Sequence, residues 1–509
     1  MNSPHQTKAT YTQMAKEKRK KRRRHEDEEE DDERADGYEQ ASSRHKASRG
    51  DDDDDGDDGD DSDGGVDERE NPDGSDDSDE EDESFFVACA EGDLAELERL
   101  HEASAVDVNA IEPEEGDTPL NVACRFGHLE VAKWLVAQGA DIGGVNFAGE
   151  TALHDACLHG SLPTIEWLLT MPQPATSTGG EGQAVPRSVE ELINKRTQQG
   201  ITPLALAALG GHTEVVRALI GKGANKASAA DEEGHSLMHM ACSNGHLGTA
   251  QALKELGVPT DGVDGLGRTP MHMACGEGHV DVAKWLKEGS SADIDARDAE
   301  GARPLHFACA AAHQATARWL LSVGASPTQP NEAGNTPLHY ACQAGIVEVA
   351  KELIEAGAEK SATNGDGDTP LLLACFGGQL SVAKMLHEKG EAAAQANGMG
   401  CSTLLQSCAM GHLEVAQWLL PLAPSLLERG DFEGETPLVY ACAHGHEDVV
   451  AWLMQQGAKP SKAAAEAAKP YHGISKLIKR AKRAAEEAAA ASGGGSSSSG
   501  GSGAGKTSA

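Results

Sequence analysis

One short motif returns along this chain at nearly constant intervals, and no other feature restricts the possible folds as tightly. Thr118-Pro-Leu, Thr151-Ala-Leu, Thr202-Pro-Leu, Thr269-Pro-Met, Thr336-Pro-Leu, Thr369-Pro-Leu and Thr436-Pro-Leu recur, with an Ala-Cys pair shortly after most of them. The residue five places after each Thr gives a marker series of Ala88, Ala123, Ala156, Ala207, Ala241, Ala274, Ala308, Ala341, Ala374, Ser407 and Ala441. Their intervals are 35, 33, 51, 34, 33, 34, 33, 33, 33 and 34. Eleven repeats of about 33 residues fill the middle of the chain, and the 51 marks an insertion of about 18 residues in the third. A unit that short cannot bury an apolar face alone, whereas stacked neighbours can.

Each repeat reads as helix, turn, helix and hairpin. In the second, Thr118 is a good N-cap, and Pro119 stands at the first helical position, where its missing N–H costs nothing. Leu120, Ala123 and Cys124 then share one helix face, and Gly127-His128 breaks the helix. A second helix follows with Val131, Trp134 and Leu135 apolar, and Gly139 closes it as a left-handed C′ residue. A Gly-containing turn, Phe147-Ala-Gly149, leads into the next repeat.

Three recurring elements carry a family resemblance. Thr336-Pro-Leu-His339-Tyr-Ala341 is the fullest form of the first, and the pairs Gly127-His128, Gly211-His212, Gly245-His246, Gly278-His279, Gly411-His412 and Gly445-His446 form the second. Gly139-Ala140, Gly223-Ala224, Gly324-Ala325, Gly357-Ala358 and Gly457-Ala458 form the third. Together they resemble the ankyrin repeat over about 375 residues. The resemblance implies an all-α solenoid of paired antiparallel helices, with β-hairpins projecting to one side and disordered termini beyond. The departures are local. The first repeat, starting near Phe85, lacks the hairpin; Ala205, Leu372 and Leu405 stand where His is usual; and a helical cap is expected after Pro460.

Charge divides the rest of the chain. The total is 44 Lys+Arg against 83 Asp+Glu, a net −39. Residues 1–25 carry +8, residues 26–84 carry −26 with an unbroken run from Asp51 to Asp55, residues 85–458 carry −27, and residues 459–509 carry +6. Like-charged blocks with little to bury are expected to stay disordered. The expected organisation is a basic-then-acidic tail over 1–84, the repeat array over 85–458 with a loop insertion near 171–190, a basic capping segment over 459–491 and a Gly/Ser-rich tail over 492–509. No apolar run reaches the ~18 residues of a membrane span, and the N-terminus has no hydrophobic leader. With 11 cysteines, an odd number, the expected setting is intracellular and reducing, with free thiols.

Three patterns imitate chemistry. Gly500-x-x-x-x-Gly505-Lys506-Thr507 satisfies the P-loop spacing, but the Gly/Ser run before it offers no strand and only two residues follow, too few for the helix that would aim N–H groups at phosphate. His-x-x-Cys occurs at His154/Cys157, His239/Cys242, His272/Cys275, His306/Cys309 and His339/Cys342. Residues three apart share a helix face, yet ten of the eleven cysteines occupy one repeat register, where a small packed side chain is the simpler reading. Trp134, Trp167, Trp285, Trp319, Trp418 and Trp452 all share one second-helix position and are expected in the core between repeats. The eleventh cysteine, Cys401, falls at a hairpin tip and is expected to be the most exposed thiol. No catalytic, cofactor or metal residue is assigned, and the chain is expected not to be an enzyme.

The family resemblance implies partner contacts at the hairpin tips and the exposed face of the first helices. Matched position by position, the candidates are Arg125, Phe126, Phe147, Glu150, His159, Asn244, Glu277, Asp366, Phe376, Met410, Phe432, Glu435 and His444, with Asp117 and Asp368 among further acidic hairpin positions. The acidic array favours basic protein partners and disfavours nucleic acid. Lys18, Arg19, Lys20, Lys21, Arg22, Arg23 and Arg24 read as a nuclear localisation signal or a nucleic-acid patch, so the setting is nucleus, cytoplasm or both. Ser78-Asp-Glu-Glu81 has the form of an acidophilic kinase site. The leading expectation is a non-enzymatic scaffold or adaptor. The alternative is a nuclear acidic-tail factor that binds basic proteins such as histones, or associates with nucleic acid through its basic segment.

Overall fold

The computed structural model describes residues 76–103, 106–171, 188–227, 230–290 and 292–493. Residues 18–24, 51–55, most of the insertion and the match at 500–507 lie outside them. The described residues form two compact bodies, one within Met1–Glu232 and one within Glu233–Ala509. The first holds four helix pairs: Asp76–Glu91 with Leu94–Ala103, Pro119–Arg125 with Leu129–Ala137, Ala152–His159 with Leu162–Leu168, and Pro203–Leu209 with Thr213–Gly221. The second holds seven pairs, from Leu237–Ser243 with Leu247–Glu255 to Pro437–Ala443 with Glu447–Gln455, closed by Lys462–Ala467 and His472–Gly493. Among the described residues this is an all-α repeat solenoid. Its hairpins contain no strands, only the isolated bridges Val145 to Thr151 and Ala396 to Ser402.

The first helices of the second body are mostly seven residues long, too short to persist alone in water. Caps and burial hold them. In repeat 2 the Thr118 hydroxyl accepts the Asn121 N–H at 3.2 Å, with Pro119 at the first helical position. Where His stands three residues into the helix, it closes the cap from the other side. The Thr336 backbone N–H donates to His339 Nδ1 at 3.1 Å. An amide N–H can only donate, so the imidazole proton sits on Nε2. That nitrogen donates to the Asp368 carbonyl of the next repeat at 3.2 Å. The same bridge joins His239 to Arg268 at 2.9 Å and His272 to Ala302 at 3.3 Å. At Leu372 and Leu405 the bridge is lost, and Thr369 and Ser402 cap those helices by accepting the leucine N–H groups.

Between neighbouring first helices the Ala-Cys pair is fully buried, as at Ala341-Cys342 and Ala374-Cys375. The six tryptophans are half-buried rather than core, because the second helices leave one side of that position open to solvent. Trp134, for example, fills a seam against Phe85 and His101, with ring centroids 6.4 and 5.5 Å away.

The Gly-His pairs do more than break a helix. Gly278 has φ +78°, and a Cβ there would meet His313 Nδ1 of the next repeat at 2.5 Å. The histidines of this register also reach back to the preceding repeat: His279 Nε2 lies 3.0 Å from the Ser243 carbonyl and His412 Nε2 lies 2.9 Å from that of Phe376. Glycine and histidine thus form a latch between consecutive repeats. In the C-terminal cap Tyr471 takes the histidine's place over Gly445, and Ile474 and Ile478 are buried beneath it.

Candidate protein-interaction surface

The hairpin tips are Asx turns. Asp298 Oδ1 accepts the N–H groups of Glu300 and Ala302 at 3.0 and 2.7 Å, and Asn364 Oδ1 accepts those of Asp366 and Asp368 at 3.1 and 2.8 Å. Asn146, Asp264, Asn397 and Asp431 repeat the arrangement. Each turn then bonds to the tip before it. Within the second body Ala299 N–H reaches the Leu266 carbonyl, Glu332 that of Glu300, Gly365 that of Ala333 and Gly398 that of Asp366, each at 2.8 Å. Phe432 N–H reaches the Met399 carbonyl at 3.0 Å. In the first body Phe147 bonds to Glu115 and Gln198 to Ala148. The ladder ties each tip to the one before it through the main chain, and side chains such as Glu300, Glu332 and Asp366 stand exposed at the turns.

Two tips present aromatics. Phe147 is 58 % exposed and Phe432 81 % exposed, each lying over a glycine of the preceding hairpin, Gly116 and Gly400. Beside Phe432 stands Met399, 60 % exposed and missing from the sequence-derived candidates. Its signal was present: it is the central residue of an Asn-Gly-Met-Gly tip. Asn244, Glu277, Asp366, Met410 and His444 are exposed, whereas Phe126, Glu150, His159, Phe376 and Glu435 are half-buried. His444 stacks between Tyr440 and His446 at centroid distances of 6.1 and 6.3 Å. Burial, with the Arg125 charge nearby, lowers His159 to about 4.

Arg125 is not on the surface. It is 7 % exposed and lies 2.6 Å from Asp117 and 2.8 Å from Asp155, two buried carboxylates. Asn121 ties Asp155 in at 2.8 Å, and Asn146 ties Asp117 in at 3.0 Å. Asn121 stands where histidine is usual, so repeats 2 and 3 are joined by an ionic cluster instead of the imidazole bridge. Burial pushes the Asp155 carboxyl upward, with Arg125 opposing it. Asp117 and Asp368, also read as hairpin surface, are likewise buried.

Cys401 is not an exposed tip thiol either. Its N–H donates to Asn397 Oδ1 at 3.0 Å, which turns the side chain inward beside Tyr440 and leaves the residue 6 % exposed. The ten register cysteines are more deeply buried still. Desolvation pushes their thiols up, to about 12 at Cys242 and Cys309 and about 11 at Cys442. The paired histidines spend both ring nitrogens on caps and bridges at His154, His239, His272 and His339. Each His-x-x-Cys is therefore a cap residue followed by a packing residue. Among the described residues no group of three or more His, Cys, Asp or Glu is arranged to hold a metal ion.

Stacked helix pairs carrying a ladder of side-chain-presenting turns define a repeat scaffold whose exposed chemistry is recognition. The chain belongs to the ankyrin-repeat family: the family model described as ankyrin repeats (3 copies) matches residues 85–178, 181–261, 251–331, 324–397 and 392–464. Among curated proteins it is 29 % identical over 177 residues to the ankyrin repeat and KH domain-containing protein mask-1 of Caenorhabditis elegans, covering 33 % of this chain and 7 % of that protein. It is 46 % identical over 54 residues to the ankyrin repeat domain-containing protein 13B of Homo sapiens, covering 11 % of this chain and 8 % of that protein. The chain thus matches less than a tenth of the length of either relative. Ankyrin repeats are generally protein-interaction modules, which supports a protein-binding scaffold. No helix among the described residues is long and apolar enough to cross a membrane.

Proposed function

We propose that this chain is a non-enzymatic adaptor that holds a protein partner against its hairpin tips and the exposed face of its first helices. The supporting observation is the ladder of Asx turns, which ties consecutive tips together through the main chain and holds their exposed side chains in a row. The partner surface is basic. Residues 85–458 carry −27, and Glu300, Glu332, Asp366 and Glu433 all stand exposed at tips, so a cationic partner is steered in and an anionic one repelled. The adaptor works inside the cell, in nucleus, cytoplasm or both, with residues 18–24 as its nuclear signal and the charged tails as regulators of access.

The reading is tested by recovering partners from cells with three baits: the full chain, residues 85–490 and residues 1–84. The expected result is that the array bait retains the partners of the full chain. Recovery of all of them by residues 1–84, with none on the array, would transfer the function to the tail and end the scaffold reading.

A further inference from the structure

We infer that the inner face of repeats 6 to 9 is a groove for an extended, basic segment of a partner protein, with an apolar side chain at every third residue. This rests on the scaffold reading and specifies its partner. Met273, Phe307, Tyr340 and Leu373 sit at one register, four residues after the capping position, on consecutive first helices, and all four are half-buried. They form an apolar row at the foot of the tip ladder. Phe307 leans edge-on against His272 of the preceding repeat at 5.3 Å, and Tyr340 against His306 at 5.9 Å. These contacts hold the rings in place without covering them.

Charge is segregated across the second body. Its tips carry no Lys or Arg at their two central positions, and neither do its first helices four, seven and eight residues after the cap. The cations Lys254, Lys284, Lys287, Arg318, Lys351 and Lys384 all lie on second helices instead. Three arginines stand at the hairpin stems: Arg268 is ion-paired to Asp264 at 2.7 Å, Arg297 is exposed beside the Gly301 turn, and Arg303 holds the half-buried capping position of repeat 7, so the acidic excess lies at the tips themselves. Above the apolar row stand Glu300, Glu332 and Asp366, all exposed. An occupant must therefore offer apolar groups toward the helices and cations toward the tips.

Spacing selects its conformation. Neighbouring packed helices lie ~8–10 Å apart, and an extended chain of the polyproline II kind advances ~3.1 Å per residue with three residues per turn, so every third side chain returns to the same face. Three residues of extended peptide thus pass each repeat, and the four-residue row is matched by about ten. A helix, rising ~1.5 Å per residue, would need an apolar side chain roughly every sixth residue.

A displayed library of random 12-residue peptides is panned against the full chain, and the most enriched sequence is synthesised with a fluorophore for anisotropy titration. The expected selection is rich in Lys and Arg, with apolar residues three apart. The double variant Phe307→Ser, Tyr340→Ser should weaken that peptide at least about tenfold, as should Glu300→Lys, Glu332→Lys, whose positions are exposed and leave the core intact. Binding should weaken further in 0.3 M salt, and Lys384→Glu on a second helix should not weaken it. Circular dichroism and thermal midpoints identify any variant that has lost its fold. Enrichment of acidic peptides, another apolar spacing, no enrichment at all, or binding indifferent to both double variants would overturn the inference. Selected peptides that bind elsewhere on the array would overturn this groove while leaving the scaffold reading in place, since that reading falls only if the tail alone holds the partners.

Discussion

Gly278 and Gly324 both sit at positive φ, +78° and +92°, yet only the first is crowded: a Cβ at 278 would strike His313 at 2.5 Å, and nothing lies within 4 Å at 324. Left-handed backbone costs a non-glycine residue ~1–2 kcal/mol. Gly324→Ala should cost about that much in urea denaturation, and Gly278→Ala measurably more, because the latch histidine must move as well. Equal losses would show that the latch contributes nothing. Cys401 makes the opposite point about reading single residues. A tip position suggested exposure, but the residue after a turn's glycine hands its N–H back to Asn397 and points inward. It remains the least buried of the eleven cysteines. A maleimide applied to the native protein should label Cys401 first, slowly, and Cys401→Ser should abolish that first adduct in the mass spectrum. At Arg125, removal of the guanidinium in Arg125→Met leaves Asp117 and Asp155 facing each other in the interior, at a cost of roughly 3–5 kcal/mol in unfolding free energy.

At the scale of elements, the imidazole bridges make the stack sensitive to acid. Burial lowers His154 and His306 to about 4 and also lowers His239, His272 and His339. In the unfolded chain each titrates near 6.5. The folded state therefore binds fewer protons between those values, and its stability is complete above about 6.5 and lost as pH falls toward about 4. The urea midpoint should fall through that window, and His154→Leu should flatten its slope. Leu372 and Leu405 already stand at this position in repeats 9 and 10, so leucine is a replacement that the fold accommodates. The Thr-Pro-Leu-His strings made these bridges legible, because cap, first-turn proline and imidazole are all local. The ionic cluster at repeat 2 was not legible. It needs Asp155, thirty residues beyond Arg125, and no local pattern brings the two together.

Across each body, stability is expected to be a sum over nearest neighbours. Leu353 is fully buried, so Leu353→Ala should cost ~2–5 kcal/mol. Its loss of hydrogen-exchange protection should concentrate in repeats 7 to 9. Uniform loss throughout the second body would indicate a single cooperative unit instead. The cap obeys the same logic: Ile474→Asp with Ile478→Asp uncovers the last repeat, and the resulting fraying should begin at Pro437–Ala443 and its partner Glu447–Gln455.

The sequence by itself determined the period, the helix pair within each repeat, the ladder of packed cysteines and the family, because all of these depend on contacts within one repeat or on identity between repeats. Tertiary structure decided which polar residues are surface. Arg125, Asp117, Asp368 and Cys401 occupy positions that a repeat alignment marks as exposed, yet Arg125, Asp117 and Asp368 are drawn inward by partners on neighbouring elements and Cys401 by Asn397 of its own turn. It also decided which apolar residues lie side by side. Met273, Phe307, Tyr340 and Leu373 are ordinary apolar residues until stacking sets them in one row beneath acidic turns, and only packing creates that adjacency.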